Sequence, residues 1–234
     1  MSILHLGAHV MRIGLRLRSP RLKTGVLAER HVAEAAALLS REFCRREPLC
    51  GLVGLTEAQM TPFFLQLVAF VAAQGLGIVA YDHAGKVRGV LTVEDHRRLF
   101  VPDPRVELEL PEGLAAISAY LEQTELPDDL QPSALRRLYY CGLAAVDSGP
   151  KDKTILPQMM IAAFFHLKAL GYTHGYAKVT NAAIVRRFRE LERYAFARVF
   201  TARAAGEPAA FVYRGQKPFE AYSGQTFLFS WAMA

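Results

Sequence analysis

No stretch constrains the fold more than Leu138 to Asn181. It reads as a strand to Val146, an irregular loop, a long apolar helix from about Thr154 to Leu170, a second strand over Thr173 to Thr180, and Asn181 opening another helix. A loop that feeds a helix N-terminus aligns backbone N–H groups toward one point, and the helix dipole adds positive potential there. Such a site suits a pyrophosphate.

The rest of the chain is compatible with one large domain. It has 234 residues, 52% hydrophobic and 21% charged, enough to bury a substantial core. Cys44, Cys50 and Cys141 are odd in number and lack Cys-x-x-Cys or paired-histidine spacing, so neither a disulfide framework nor a metal site is expected, and a reducing cytoplasm fits best. Met1 to Val10 has no basic flank before its apolar run and no small-residue cleavage pattern, which argues against a secretory signal. Met60 to Tyr81 is apolar over a length that could cross a bilayer, about 20 residues. Gln66, Gln74 and the Gly75-Leu76-Gly77 break instead place a helix end near Gln74 and a buried strand from Ile78, with no membrane span.

Charge is unevenly distributed. Arg12, Arg16, Arg18, Arg21 and Lys23 occur without an acid among the first 23 residues, so of 28 basic residues 23 remain to face 22 acidic ones. Residues 1–22 read as a basic arm, either a solvated extension or a docking surface for an acidic partner. No basic recognition helix, zinc-finger spacing or aromatic RNA-binding motif accompanies the charge, so nucleic acid is not an expected partner.

Periodicity gives an alternating order. A strand at Leu22 to Leu27 leads to a helix over His31 to Arg46, with Val32, Ala35, Leu39 and Phe43 on one face, stopping at Pro48. A second helix runs from Thr56, its N-cap, to Gln74, with Pro62 expected to split off the first turn. Ile78 to Tyr81 and Lys86 to Val93 form a hairpin around Asp82-His83-Ala84-Gly85. Arg97 to Pro132 is a proline-punctuated insert holding one amphipathic helix, Glu112 to Thr124, and its length suits a cover over a substrate pocket. After the helix Asn181 to Glu192, candidate closing strands are Phe196 to Thr201, Ala209 to Tyr213 and Thr226 to Trp231. The domain reading is the arm followed by a single α/β domain over 23–234, with the insert at 97–132.

The order β-α-α-β-β-β-α-β-α-β resembles the GNAT superfamily of N-acyltransferases from Leu22 to Thr201, and three motifs carry the resemblance. Val146 is followed by Asp147-Ser148-Gly149-Pro150-Lys151-Asp152-Lys153-Thr154-Ile155-Leu156, matching in length the family's Gln/Arg-x-x-Gly-x-Gly/Ala loop. Lys151 takes the Gln/Arg slot, Thr154 the first glycine slot and Leu156 the Gly/Ala slot, so a side chain stands where close backbone approach is usual. Lys151 and Lys153 add positive charge. Asn181 to Phe196 resembles the family's Asn-led helix, with Ala195-Phe196 at the Gly-Phe position and Phe188 where many members place a proton-donating tyrosine. Tyr194 stands nearby, as a donor or a packing residue. Phe43 to Leu49, reading Phe-Cys-Arg-Arg-Glu-Pro-Leu, is similar to the Phe-x-x-x-Glu-Pro-Leu segment of insect, dopamine-acetylating arylalkylamine N-acetyltransferases. The later-helix serines of those proteins have no serine counterpart between Thr154 and Glu192.

The resemblance implies a GNAT fold, a mixed sheet whose fourth and fifth strands splay apart around the pantetheine arm of acetyl-CoA or another acyl-CoA. It assigns CoA binding to Val146, Lys151, Asp152, Lys153, Thr154, Ile155, Asn181 and Phe188, a bulge to Gly142, and polarisation of the thioester to a backbone N–H near Cys141 to Leu143. Glu47 becomes the base that deprotonates a primary amine, with Glu94, Asp95 and His96 as alternatives. Cys141 as a nucleophile and as a packing residue both stand, and His166 reads as a core or edge histidine. Three functions follow from this reading: acetyl or short acyl transfer from CoA to a small-molecule amine by direct attack, transfer of a longer chain from acyl-CoA or an acyl carrier protein, and a non-catalytic acyl-CoA-binding module.

Overall fold

The computed structural model describes residues 22–102, 111–131, 137–147, 154–191 and 200–233. The strands are β1 (Leu22–Val26), β2 (Ile78–Asp82), β3 (Val87–Asp95), β4 (Leu138–Val146), β5 (His174–Val179), β6 (Phe200–Gly206) and β7 (Thr226–Ala232), lying in one sheet in the order β1-β2-β3-β4-β5-β7-β6. The helices are α1 (Val32–Arg46), α2 (Pro48–Leu52), α3 (Glu57–Gln74), α4 (Glu112–Glu122), α5 (Ile155–Ala169) and α6 (Ala182–Leu191).

Successive strand residues face opposite ways, so the sheet has two distinct apolar layers. Val79, Val90 and Ala145 pack with α1 to α4, burying Leu39, Leu49, Phe64, Val68 and Ile117. Leu91, Val93, Tyr139, Ala177 and Phe229 pack on the other face with Ile155, Met159, Leu167, Val185 and Phe188 of α5 and α6. Gly89 admits α5 close to the sheet, because a Cβ there would sit 2.8 Å from the Ile155 Cγ2.

Two local expectations, at Pro62 and at Ala209 to Tyr213, are corrected. Pro62 does not detach a turn: α3 is continuous from Glu57. The Gln59 N–H and the Thr56 Oγ1 meet at 3.4 Å while the Gln59 Oε1 accepts the Thr56 N–H at 3.0 Å, and Met60, Phe64 and Leu67 are buried, so capping and packing hold the helix on both sides of the proline. The stop before Pro48 is where the sequence implies it, with α1 ending at Arg46. Glu47 is extended, and Pro48 occupies the first position of a further turn, α2, where its missing N–H costs nothing. Ala209 to Tyr213 is not a strand. Pro208–Ala210 forms a 3-10 turn, and Phe211 is buried with its ring 5.3 Å from Tyr120 and 5.8 Å from Phe219. No helix among the described residues is long and apolar enough to cross a membrane.

The β4–β5 junction positions the site. These strands are parallel but pair only over Leu138–His174, Tyr139–Gly175 and Tyr140–Tyr176, although β4 continues to Val146 and β5 to Val179. Beyond Tyr140 the ladder opens.

Candidate active site

The opening begins at a bulge. Leu91 pairs with Ala144 and Val93 with Cys141, which leaves an extra residue of β4 at Gly142–Leu143 opposite Thr92. The Thr92 Oγ1 accepts the Leu143 N–H at 2.7 Å and donates to the Leu143 carbonyl at 3.3 Å. The Leu143 amide is thereby committed to a side chain, which removes it from the Cys141 to Leu143 amides considered for polarising a thioester. Glycine is required at 142 by space: an added Cβ would stand 3.1 Å from the Thr92 Oγ1 and 3.4 Å from the Glu94 Oε1.

Glu94 lies on the α1–α4 face of β3, in step with Val90 and Thr92. It is only 5% exposed, and its Oε2 accepts the Phe100 N–H at 2.6 Å. Burial pushes its carboxyl above the ordinary glutamate range, against the pull of that hydrogen bond. Tyr140 and Tyr176 stack beside it with centroids 5.0 Å apart, and the Tyr176 phenol meets the His96 Nδ1 at 2.8 Å. His96 is held below its usual value by burial, which favours the neutral ring. Asp95 faces the other way, accepting the Tyr172 phenol at 2.8 Å, so the structure separates it from Glu94.

Glu47 reaches the same face from the α1–α2 corner. Its Oε1 accepts the Thr180 hydroxyl at 2.5 Å, the Tyr222 phenol donates to the Thr180 carbonyl at 2.5 Å, and the Asn181 Nδ2 donates to the Arg46 carbonyl at 2.7 Å. The end of α1 is therefore tied to the end of β5. Burial raises the Glu47 carboxyl, opposed by its bonds from Thr180 and the Leu49 backbone. Thr180 and Tyr222 were not legible as site residues. Looking for serine by residue type passes over a threonine hydroxyl, and Tyr222 arrives from a loop without periodicity.

The remaining sequence candidates divide. Val146 ends β4 and Asn181 caps α6, its Oδ1 accepting the Ala183 N–H at 2.9 Å. Thr154 begins α5 and bonds the Gln158 side chain through its Oγ1 at 2.8 Å. Ile155 is fully buried against Gly89, so its side chain packs inward onto the sheet. Lys151, Asp152, Lys153 and Tyr194 lie outside the described residues. Phe188 is 5% exposed and stacked on Phe229 at 4.7 Å, sealed in the apolar layer. Cys141 is buried on that layer with its thiol pushed up to about 12, which leaves it un-ionised and unsuited to nucleophilic attack. The His166 Nε2 meets the Gly75 carbonyl at 2.7 Å, an edge position. No group of His, Cys, Asp or Glu among the described residues could hold a metal ion.

Taken together, an opened parallel ladder with a bulge at its apex has two acid side chains on one face and a capped helix on the other. Such a gap exposes strand N–H and C=O groups that an extended ligand can pair. No protein-family model matches the sequence, and no curated protein sequence matches it. Solved structures do. Arylalkylamine N-acetyltransferase 2 from Aedes aegypti superposes with a TM-score of 0.69 at 14% identity, covering 91% of this chain and 99% of that one. Drosophila melanogaster polyamine N-acetyltransferase, which forms N-acetylagmatine, gives 0.62 at 13% identity, covering 90% and 98%. The C-terminal condensation domain of Ebony, solved with β-alanyl-dopamine, gives 0.64 at 12% identity, covering 91% and 99%.

Proposed function

From the GNAT acetyltransferase fold that these structures share with this chain, we propose that it transfers an acetyl or other short acyl group from acyl-CoA to a primary amine by direct attack. The observation that carries this reading is the β4–β5 ladder, which opens after Tyr140 at a glycine bulge beside Glu94, with Glu47 held at the end of β5 by Thr180. Pantetheine lies in the gap as an added strand, and the loop after Val146, with Lys151, Asp152, Lys153, Thr154 and the Ile155 backbone, holds the pyrophosphate at the α5 N-terminus. Asn181, following β5, borders the gap, while Phe188 supports α6 from within the apolar layer.

A free alkylamine titrates near about 10.4, so it arrives protonated and must lose a proton before its lone pair can attack the thioester carbonyl. Glu47 takes that proton, directly or through water, with its orientation fixed by Thr180. Raising a carboxyl toward neutrality by burial makes it a better base. Glu94, beside Gly142, is the alternative acceptor of the same proton. As the carbon–sulfur bond breaks, the leaving thiolate needs a proton that a phenyl ring at 188 cannot supply. Tyr194 is placed in that role by the resemblance alone.

The test is release of CoA thiol from acetyl-CoA in the presence of arylalkylamines and polyamines, with products identified by mass spectrometry. Longer acyl-CoA and acyl carrier protein donors in the same panel determine chain length and carrier. The sealed Phe188 favours one competing reading, a non-catalytic acyl-CoA-binding module. Calorimetric binding of acetyl-CoA without turnover of any amine would establish it.

A further inference from the structure

Lys178 is a half-buried cation to which the mechanism above gives no role. Side chains alternate along β5, so Tyr176, Lys178 and Thr180 share the face on which Glu94 and Tyr140 stand. Tyr140 pairs with Glu94 on one side and with Tyr176 on the other, and Tyr176 is the last β5 residue to pair with β4. Lys178 therefore falls where the ladder is open, between the stacked tyrosines and the threonine that holds Glu47. Alternate residues of a strand are roughly 6.6 Å apart, so its backbone is within one small molecule's length of both.

The Lys178 Nζ donates to the Leu121 carbonyl at 2.6 Å. That carbonyl is in the last turn of α4, where the helix dipole offers about half a negative charge, so the ammonium is only partly balanced and two of its three donors remain for other partners. No carboxylate among the described residues lies within ion-pair distance of it. Burial draws the ammonium below the ordinary lysine value, and the charge of exposed Glu122 does not offset this. After burial, the Lys178 charge also helps to keep His96 neutral, which places the two within electrostatic reach. The bond to Leu121 fastens α4 over this face, but a neutral donor such as glutamine would do as much without the cost of desolvating a charge.

We propose that Lys178 is the counter-ion for a carboxylate on the acceptor, so that the amine acylated belongs to an amino acid. This rests on the acyl-transfer reading above and names its acceptor class. The acceptor lies along the Tyr140–Tyr176 pair with its nitrogen toward the acids and its carboxylate toward Lys178. The nitrogen gives its proton to Glu47 or Glu94 and forms the amide bond as the carbon–sulfur bond breaks and CoA leaves as a thiolate that takes up a proton. The carboxylate stays bound and unchanged throughout.

Matched acceptors that differ in the carboxylate alone test this: phenylalanine against phenethylamine and γ-aminobutyrate against propylamine, each with acetyl-CoA and the full chain. In at least one pair the carboxylated member should have the higher kcat/KM by about ten- to hundredfold, the range of a charge-assisted contact. Lys178→Gln keeps a donor for Leu121 and should bring that ratio close to one, chiefly through KM, while Lys178→Arg should keep part of it. The wild-type ratios decide the matter even if the glutamine variant does not fold. A lysine that only fastens α4 would lower both members of a pair together when substituted, and an unchanged ratio overturns the proposal. A wild-type ratio at or below one in both pairs also overturns it, while acetylation of the plain amines leaves the acyl-transfer reading intact. Acetylation of no acceptor overturns both. Succinyl-CoA against propionyl-CoA, with a plain amine, separates the other source of a carboxylate: a preference for succinyl-CoA that Lys178→Gln removes would place the carboxylate on the acyl group and overturn the acceptor assignment.

Discussion

Glu47 holds a half-buried carboxyl between a threonine hydroxyl and a backbone N–H, and burial prevails, raising its pKa above the ordinary value. As the base it must be ionised, so activity is lost as pH falls through that raised pKa. Glu47→Gln should cut kcat/KM by about 10²–10⁴-fold with acetyl-CoA affinity nearly unchanged, and the deficit should shrink as pH rises and more amine is already neutral. Near-normal activity of this variant at neutral pH would transfer the role to Glu94 or water. Glu94 makes a separate prediction for stability. A folded-state carboxyl with a raised pKa stabilises the protein when protonated, and that contribution is lost as pH rises from the unfolded value, about 4.3, through the folded one. Glu94→Gln should therefore raise the melting temperature at neutral pH relative to wild type, with the gain fading as pH falls toward 4. A pH-independent difference would rule out this account.

At the scale of elements, the bulge and the loop carry the predictions. Thr92→Val removes the hydroxyl that serves both the N–H and the carbonyl of Leu143, and should destabilise the protein by about 1–3 kcal/mol in denaturant titrations. Lys151→Glu with Lys153→Glu should weaken acetyl-CoA binding by roughly 1–3 kcal/mol, measured calorimetrically, and an unchanged dissociation constant would disprove the phosphate assignment. Elements with strong period were legible: Leu138–Val146 has the bounds that its pattern implies, and the glycine at 142 marked the bulge. Elements decided by distant packing were not. Pro62 looks like a breaker until Met60 and Phe64 are known to be buried around it, and Phe211 alternates like a strand residue while serving as a plug between Tyr120 and Phe219. The Glu-Pro-Leu match pointed to Glu47, but its partners Thr180 and Tyr222 lie 133 and 175 positions away in sequence, beyond any local pattern.

Over the whole molecule, the half-paired β4–β5 ladder divides the sheet into a four-strand block and a three-strand block. Three residue pairs, helix packing and the hydrogen bonds from the end of α1 hold the blocks together. On the proposed reading, acyl-CoA completes this seam, and ligand at 100 times its dissociation constant should add about 2.7 kcal/mol of stability. Hydrogen exchange should localise that gain. Amides of residues 144–146 and 177–179 should slow on adding acetyl-CoA, while those of β1 and β2 stay as they were. Slowing spread evenly over the sheet, or none at the seam, would contradict it. The cosubstrate then works as the pin of a hinge: an empty protein can flex about its midline, and the act of loading the donor also stiffens the frame against which the amine will be held.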